Sequence, residues 1–158
     1  MKNLLFLPFF TGIGSPHWKA DAKAAILGIT RDTKDSHIAR ACLDGIALSI
    51  QDLIEAMIDD TKLNLTELKV DGGAVNNDLL MEIQATISKL KILKPKIIET
   101  TAYGAGLASA IGNNLIKKDD ILSLWKKDKV IEGNDSNASF YQKKHLEWKD
   151  TIKTLYKV

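Results

Sequence analysis

Short apolar runs alternate along this chain with segments whose apolar residues recur at helical spacing. Each run ends at glycine, proline or polar residues, as buried strands do, and helical segments follow the runs. This order favours an α/β fold with a mainly parallel sheet and flanking helices. The apolar runs are Leu4–Phe9, Ala24–Ile29, Leu65–Val70 and Leu90–Leu93.

The clearest helix begins near Asp35 or Ser36, either of which can cap it. Its apolar residues recur every three or four positions, which predicts one buried stripe. Gly45 weakens such a helix by about 1 kcal/mol relative to alanine, so we expect another backbone to approach closely there. The predicted stripe consists of Ile38, Cys42, Ile46, Ile50, Leu53, Ile54 and Met57.

Two more helices are expected, one that starts near Asn76, Asn77 or Asp78 and one that starts near Ser136 or Ser139. Between them, the glycine- and alanine-rich segment Ala102–Gly112 is typical of a helix packed tightly against a sheet, where large side chains would not fit. The charged runs at Lys117–Asp120 and Lys126–Asp128 are typical of a solvated face. The first helix carries Leu80, Ile83 and Ile87 on one side, and the last carries Tyr141, His145, Trp148, Ile152 and Leu155.

Length and composition predict one globular domain over residues 1–158, because domains usually contain about 100–150 residues. Apolar residues make up 45% and charged residues 27%, which argues against disorder. The net charge of +2 gives no electrostatic reason to expect nucleic acid or an anionic membrane as partner. The single cysteine, Cys42, excludes an internal disulfide and is typical of a reducing cytoplasm.

Targeting and membrane-spanning segments are not expected. The apolar run Leu4–Phe10 is short, is broken by Pro8 and lacks a small-residue cleavage site. No run approaches the roughly 20 apolar residues that span a bilayer. These features predict a cytoplasmic chain without membrane insertion.

The strongest local signal is Lys69–Asn77, in which a strand leads through two glycines to a helix start. Glycines let a ligand come close to the backbone, and the free N–H groups of a helix N-terminus favour phosphate. Asp71 lies where α/β proteins place functional carboxylates, at the carboxyl end of a strand. A tight turn that needs a positive φ explains the same residues equally well.

Other reactive residues predict neither a metal site nor a nucleophile. The three histidines, His17, His37 and His145, are not spaced as metal ligands. Cys42 lies on the helical stripe, which favours a buried structural thiol. The glycine-containing segment Thr11–Trp18 is best interpreted as a structural loop.

Taken together, six segments of the chain resemble the C-terminal part of the FGGY carbohydrate kinases, in the form carried by the glycerol kinases of that family. They occur in the family's order and cover almost the whole chain. The first segment favours glycerol kinases over the pentulose kinases. The segments are PFFTGIGSPHW at Pro8–Trp18, GITR followed by HIARACLDGIA within Gly28–Ala47, DGGAVNN at Asp71–Asn77, LMEIQ at Leu80–Gln84, TAYGA at Thr101–Ala105, and Trp148–Lys149.

The resemblance implies an actin-like, ribonuclease-H-like α/β domain that lacks its first strands. It also implies ATP-dependent phosphoryl transfer to glycerol, giving ADP and glycerol 3-phosphate, with Mg²⁺ accompanying the nucleotide. The nucleotide-binding residues by this resemblance are Gly72, Gly73, Ala74 and Asn77, with Gly73 against the phosphates and Asn77 by the adenosine.

Family members are much longer, and their polyol pocket, general base and phosphate-binding hairpin lie upstream of the matching segments. We therefore expect no catalytic residue in these 158 residues, no metal site, and no glycerol kinase activity from them alone. Glycerol would bind through the missing N-terminal half. A domain cut from a larger fold would also expose a sheet edge or an apolar patch, through which a homodimer could form.

Two alternatives stay open at this point. The chain could be a non-catalytic nucleotide-binding or scaffold remnant of the fold. It could also be a fragment of another FGGY sugar or polyol kinase, because substrate choice resides in the missing half and only the segment Phe10–Trp18 argues for glycerol.

Overall fold

The structure is a computed structural model and describes residues 4–158. In these residues, five strands form two sheets, and five α-helices and two 3₁₀ turns accompany them. The strands are β1 (Leu5–Leu7), β2 (Ala25–Leu27), β3 (Glu67–Lys69), β4 (Lys91–Pro95) and β5 (Lys127–Ile131). The helices are α1 (Asp35–Thr61), α2 (Asp78–Ser88), α3 (Thr100–Gly112), α4 (Ile121–Leu124) and α5 (Asp135–Tyr156), and the 3₁₀ turns are Gly73–Asn76 and Lys118–Asp120.

The predicted α/β class is confirmed, but neither sheet of the described chain is mainly parallel: one is antiparallel and the other is mixed. β1 pairs with β2 antiparallel, and β4 lies between β3, its parallel neighbour, and β5, its antiparallel neighbour. The parallel pair is the one joined by a crossover through a helix, α2, as parallel pairing requires. β5 lies in the charged run that the sequence predicts only as a solvated face; its side chains are mostly exposed, so apolar patterning could not reveal it.

Two apolar clusters hold these elements together. One joins α2 to β4 and includes Ile83 and Ile92, both almost fully buried. The other packs β1 and the loop after it against α1 and α5, around Leu7, Leu48 and Trp148. The predicted stripe of α5 is confirmed at Tyr141, His145, Trp148 and Ile152, whereas Leu155 is exposed.

The predicted stripe of α1 is largely wrong. Ile54 is buried, but four other members of the stripe are 37–51% exposed. The helix begins at Asp35 with Lys34 as its N-cap residue, so neither Asp35 nor Ser36 caps it. The side of α1 that is covered carries Ala41, Asp44, Gly45, Ala47, Leu48, Gln51, Asp52 and Ile54.

Gly45 explains in part why another side of α1 is covered than the one predicted. A Cβ atom at this position would overlap the backbone carbonyl oxygen of Phe6, in β1. The expected close approach of another backbone to α1 is therefore confirmed. The small residues beside Gly45 allow β1 to lie directly on the helix, so the larger apolar side chains point elsewhere.

The expectation for the small-residue segment is also wrong in part. It forms the helix α3, but no residue of α3 is buried within the described chain. The space next to Gly104 and Gly106 is open: apart from the neighbouring residues and the backbone of α3 itself, no atom of the described chain lies within 4 Å of where a Cβ would lie. Within residues 4–158, no helix has both the length and the apolar character needed to cross a membrane.

Candidate functional site

The double-glycine segment, Asp71–Asn77, lies just past the carboxyl end of β3. Gly72 has φ +81°, in the left-handed region that favours glycine, and its N–H donates to the carbonyl oxygen of Ile98 at 2.8 Å. The interpretation as a turn with a positive φ is thus confirmed at Gly72. The conformation of this residue accounts for its identity without any ligand.

Gly73 has no such structural reason to be glycine. Its φ is not positive, and apart from Gly73 itself and its two chain neighbours no atom of the described chain lies within 4 Å of where its Cβ would be. Gly73 and Ala74 are exposed at the beginning of the 3₁₀ turn. Their backbone is therefore open to close approach from outside the chain.

The expected helix start near Asn76, Asn77 or Asp78 is confirmed, but the helix does not follow the glycines directly. The 3₁₀ turn Gly73–Asn76 separates the glycines from α2, which begins at Asp78. Asn77 caps α2, because its Oδ1 accepts from the N–H of Leu80 at 3.0 Å. Its Nδ2 group keeps two donors for a ligand. A phosphate at Gly73 would thus meet the N–H groups of a turn, not those of an α-helix.

Three further residues support this segment and were not found from the sequence. The hydroxyl of Thr100, at the start of α3, donates to Asp71 Oδ2. Lys94 Nζ donates to Asn76 Oδ1 at 3.0 Å, and Lys129 Nζ lies 3.4 Å from Asp78 Oδ1.

Lys94 and Lys129 face each other across the antiparallel pair β4–β5. Lys94 contacts a neutral amide and so brings a positive charge to this segment, which favours an anion, whereas the charge of Lys129 is paired with Asp78. The alternation of β4 could have indicated Lys94. Lys129 could not be found, because β5 itself was not predicted.

A separate polar cluster is centred on Asp52, which accepts from three side chains. His145 Nε2 lies 2.7 Å from Oδ1, while Trp148 Nε1 and His17 Nε2 lie 2.9 and 3.3 Å from Oδ2. Burial pushes the pKa of Asp52 upward, but these hydrogen bonds outweigh it and hold the pKa below its ordinary value. His17 thereby ties the Thr11–Trp18 loop to α1.

That loop has structural reasons for its sequence. Gly12 has φ +96°, and a Cβ there would lie 2.7 Å from the carbonyl oxygen of Ala20. The prediction of a structural loop is confirmed. Within residues 4–158, no group of three or more histidine, cysteine or acidic side chains is placed to hold a metal ion.

A second buried carboxylate, Asp44, accepts from both α1 and α5. Arg40 Nε and Tyr141 OH each lie 3.0 Å from its Oδ1, and Lys144 Nζ lies 2.5 Å from its Oδ2. Burial is the main cause that raises the pKa of Tyr141 to about 12. The acids, Asp44 and Asp52, and the basic residues around them are paired with one another, so these clusters join helices.

Comparison with known proteins identifies the fold and the family. Residues 1–112 match the model of the C-terminal domain of the FGGY family of carbohydrate kinases. The chain belongs to this family. The predicted family and actin-like fold are therefore confirmed, and the chain is a C-terminal part of an FGGY carbohydrate kinase.

Individual relatives give the same result. The chain is 45% identical over 131 residues to a glycerol kinase of Rhodopirellula baltica, covering 82% of this chain and 24% of that protein. It is 39% identical over 156 residues to a glycerol kinase of Acinetobacter baylyi, covering 96% and 31%. A crystal structure of Plasmodium falciparum glycerol kinase with ADP aligns with a TM-score of 0.77 at 31% identity, covering 96% and 30%.

Each match covers most of this chain but only a small part of the relative. Nearly all of this FGGY chain matches, but it spans less than a third of the length of these relatives. The polypeptide that surrounds the matched region in the relatives is thus more than twice as long as the match itself.

Proposed function

We propose that this chain is the C-terminal nucleotide-binding part of an ATP-dependent glycerol kinase, which converts ATP and glycerol to ADP and glycerol 3-phosphate. Relatives named glycerol kinase, 39–45% identical, support the substrate. The relative whose structure was determined with ADP supports the nucleotide. The observation that carries the proposal is Gly73, a glycine that neither backbone conformation nor packing within the chain explains.

The nucleotide would lie on the double-glycine segment. Gly73 and Ala74 are exposed residues whose backbone N–H groups would face the phosphates, and Gly72 shapes the turn that carries them. Asn77 would offer its Nδ2 donors, and Lys94 would add positive charge beside the phosphates. Phosphoryl transfer depends on such positioning and on electrostatic stabilisation of the moving group.

Within residues 4–158, no group of three or more histidine, cysteine or acidic side chains is placed to hold Mg²⁺. We propose that the ion arrives with the nucleotide phosphates, as Mg²⁺ commonly does. The remaining ligands, the polyol pocket and the general base would come from the N-terminal part of the kinase. Residues 1–158 would then act as one domain, in the cytoplasm, without catalysing the reaction alone.

Calorimetric titration of the 158-residue chain with ADP tests the site. We expect binding that Gly73→Asp weakens at least about tenfold, or 1.4 kcal/mol, because a carboxylate would lie against the phosphates. The matched control is Gly112→Asp: this glycine also has a non-positive φ and open space around its Cβ position. We expect the control to bind ADP like the parent chain.

Three results would contradict the proposal. Equal losses of ADP affinity in both variants would show that the effect does not depend on the position of Gly73 in the nucleotide site. Absence of ADP binding at millimolar concentration would favour the scaffold alternative. Formation of glycerol 3-phosphate by the chain alone would show that these residues catalyse the reaction. If Gly73→Asp did not affect it, the nucleotide would bind somewhere other than the double-glycine segment.

A further inference from the structure

A cavity of about 370 Å³ lies between the N-terminal halves of α1 and α5. Its volume falls within the range of about 300–1,000 Å³ that is usual for small-molecule sites. None of the residues that line it belongs to the double-glycine segment, so a ligand here would be separate from the nucleotide. The charged, ionisable and aromatic residues that line the cavity are His37, Arg40, Asp44, Phe140 and Lys144.

The cavity carries more positive than negative charge. Arg40 and Lys144 are both cations, whereas Asp44 is the single carboxylate among the described residues that line it. Arg40 Nε lies 3.0 Å from Asp44 Oδ1 and Lys144 Nζ lies 2.5 Å from Oδ2, so both cations share one counter-charge. Lysines are rarely buried unless they are paired, and Lys144 is only 7% exposed. The excess of one positive charge favours an anion in the cavity.

Several hydrogen-bond donors at the cavity remain free for such an anion. Arg40 donates through Nε and Nη2, and its Nη1 makes no hydrogen bond within residues 4–158. Lys144 Nζ has three hydrogens, of which Asp44 accepts one. Nδ1 of His37 accepts from the N–H of Lys34 at 3.2 Å, which assigns the ring hydrogen to Nε2 and makes that atom a further donor. A phosphate group has the oxygens to accept from all three side chains.

One wall of the cavity is aromatic. The side chain of Phe140 is 41% exposed, and Lys144 Nζ lies 5.7 Å from the centroid of its ring. The ring also packs edge-on against Tyr141, with 5.1 Å between the centroids, which restrains its orientation. An organic group attached to the phosphate can therefore lie on Phe140 while the phosphate meets the cations.

We propose that this cavity is a second anion site, which binds a small phosphate monoester across α1 and α5. The phosphate lies among Arg40, Lys144 and Nε2 of His37, and the organic group lies on Phe140. A metal cation does not suit the cavity, because Asp44 already accepts from three donors. The ligand contacts both helices, so its binding stabilises the folded chain. This site is independent of the proposed nucleotide site.

Calorimetric titration of the 158-residue chain with phenyl phosphate tests the proposal, with inorganic phosphate and phenol as the two partial ligands. We expect phenyl phosphate to bind about tenfold more tightly than inorganic phosphate, because only the ester reaches Phe140. Phenol, which has no charge at pH 7, should not bind. Equal affinities for the ester and for inorganic phosphate would contradict a monoester site.

An arginine variant shows where the ester binds. Arg40→Gln should weaken phenyl phosphate binding at least about tenfold, because it removes a charge and the free Nη1 donors. Arg31→Gln is the matched control, since Arg31 is exposed and does not line the cavity. Equal losses of affinity in the two variants would overturn the proposal.

Phe140→Ala is the second variant, because Arg40 also joins α1 to α5 and its replacement could disturb the fold. Phe140→Ala should lower the affinity for phenyl phosphate to that for inorganic phosphate and leave the latter unchanged. Circular dichroism checks that both variants are folded. An unchanged preference for the ester in Phe140→Ala would overturn the proposal whatever Arg40→Gln does.

Gly73→Asp separates this cavity from the nucleotide site. We expect phenyl phosphate to bind this variant as it binds the parent chain, because Gly73 does not line the cavity. A loss of phenyl phosphate binding in Gly73→Asp would place the ester at the double-glycine segment and overturn the second site, as would no binding by the parent chain at millimolar concentration. The effect of the same variant on ADP binding concerns only the proposed function.

Discussion

The two sides of α1 reverse the usual distribution of side chains on a helix. The side facing α5 buries Asp44 and Asp52, whereas a row of four large apolar side chains, here called the α1 stripe, is exposed: Ile46, Ile50, Leu53 and Met57. Acidic residues are almost never fully buried unless they are paired, and each of these two accepts hydrogen bonds from three side chains. Within this chain, paired charges and the close contact at Gly45 therefore determine which side of α1 is covered.

The largest expected effect comes from breaking the buried side. Asp44→Ala leaves Lys144, only 8% exposed as a side chain, as a buried charge without its carboxylate. We expect a loss of about 3–5 kcal/mol in the free energy of unfolding, typical of removing one partner of a buried pair. Urea denaturation followed by circular dichroism measures it.

The control for this prediction is Asp21→Ala, which removes the exposed ion pair between Asp21 and Lys19. Surface pairs contribute little to stability, so the midpoint of unfolding should barely change. Similar losses in the free energy of unfolding of the two variants would mean that the buried Asp44 pair stabilises the chain no more than an exposed ion pair does.

A smaller effect should appear when the pH is lowered. The pKa of Asp52 is below its ordinary value, so the ionised carboxylate contributes stability that is present above about pH 4. That contribution is lost as the pH falls through the folded-state pKa. We expect Asp52→Asn to be less stable than the parent chain at pH 7, and the difference to shrink below pH 4.

Urea denaturation of both chains between pH 7 and pH 2.5 checks this prediction. The pKa of Glu55 is also lowered: burial raises it, but the hydrogen bond from Lys149 and further partners outweigh that effect. Some acid sensitivity will therefore remain in the variant. Parallel stability curves for the two chains would show that Asp52 is not a source of the acid sensitivity.

The smallest effect is expected on the α1 stripe. Met57→Gln keeps the length of an exposed side chain and should change the free energy of unfolding of the 158-residue chain by no more than about 0.5 kcal/mol. The same urea denaturation measures it. A loss of several times that size would show that the stripe already packs against part of this chain.

Much of the fold could be predicted from local sequence. The apolar runs became β1 to β4, and helical spacing located α1, α2 and α5. β5 could not be predicted, because a mostly exposed strand of alternating charge has no apolar pattern. The burial of α3 was wrongly predicted, because small residues show what a helix could pack against without showing whether that partner is present.

The candidate site was predictable in part. The strand followed by two glycines indicated a turn, and Gly72 has the required positive φ. The 3₁₀ turn that separates Gly73 from α2 was not predictable, because it depends on where Asn77 caps the helix. Lys94 and Lys129 meet only through the pairing of β4 with β5.

The family, most of the helices and strands, and the glycine turn after β3 follow from the sequence, because they depend on residues close together in the chain. Which side of α1 is covered depends on tertiary contacts. Asp44 meets Lys144 across 100 positions and Asp52 meets Trp148 across 96. The physical reason is that burial of a charged group depends on partners that folding brings together, and helical periodicity carries no information about them.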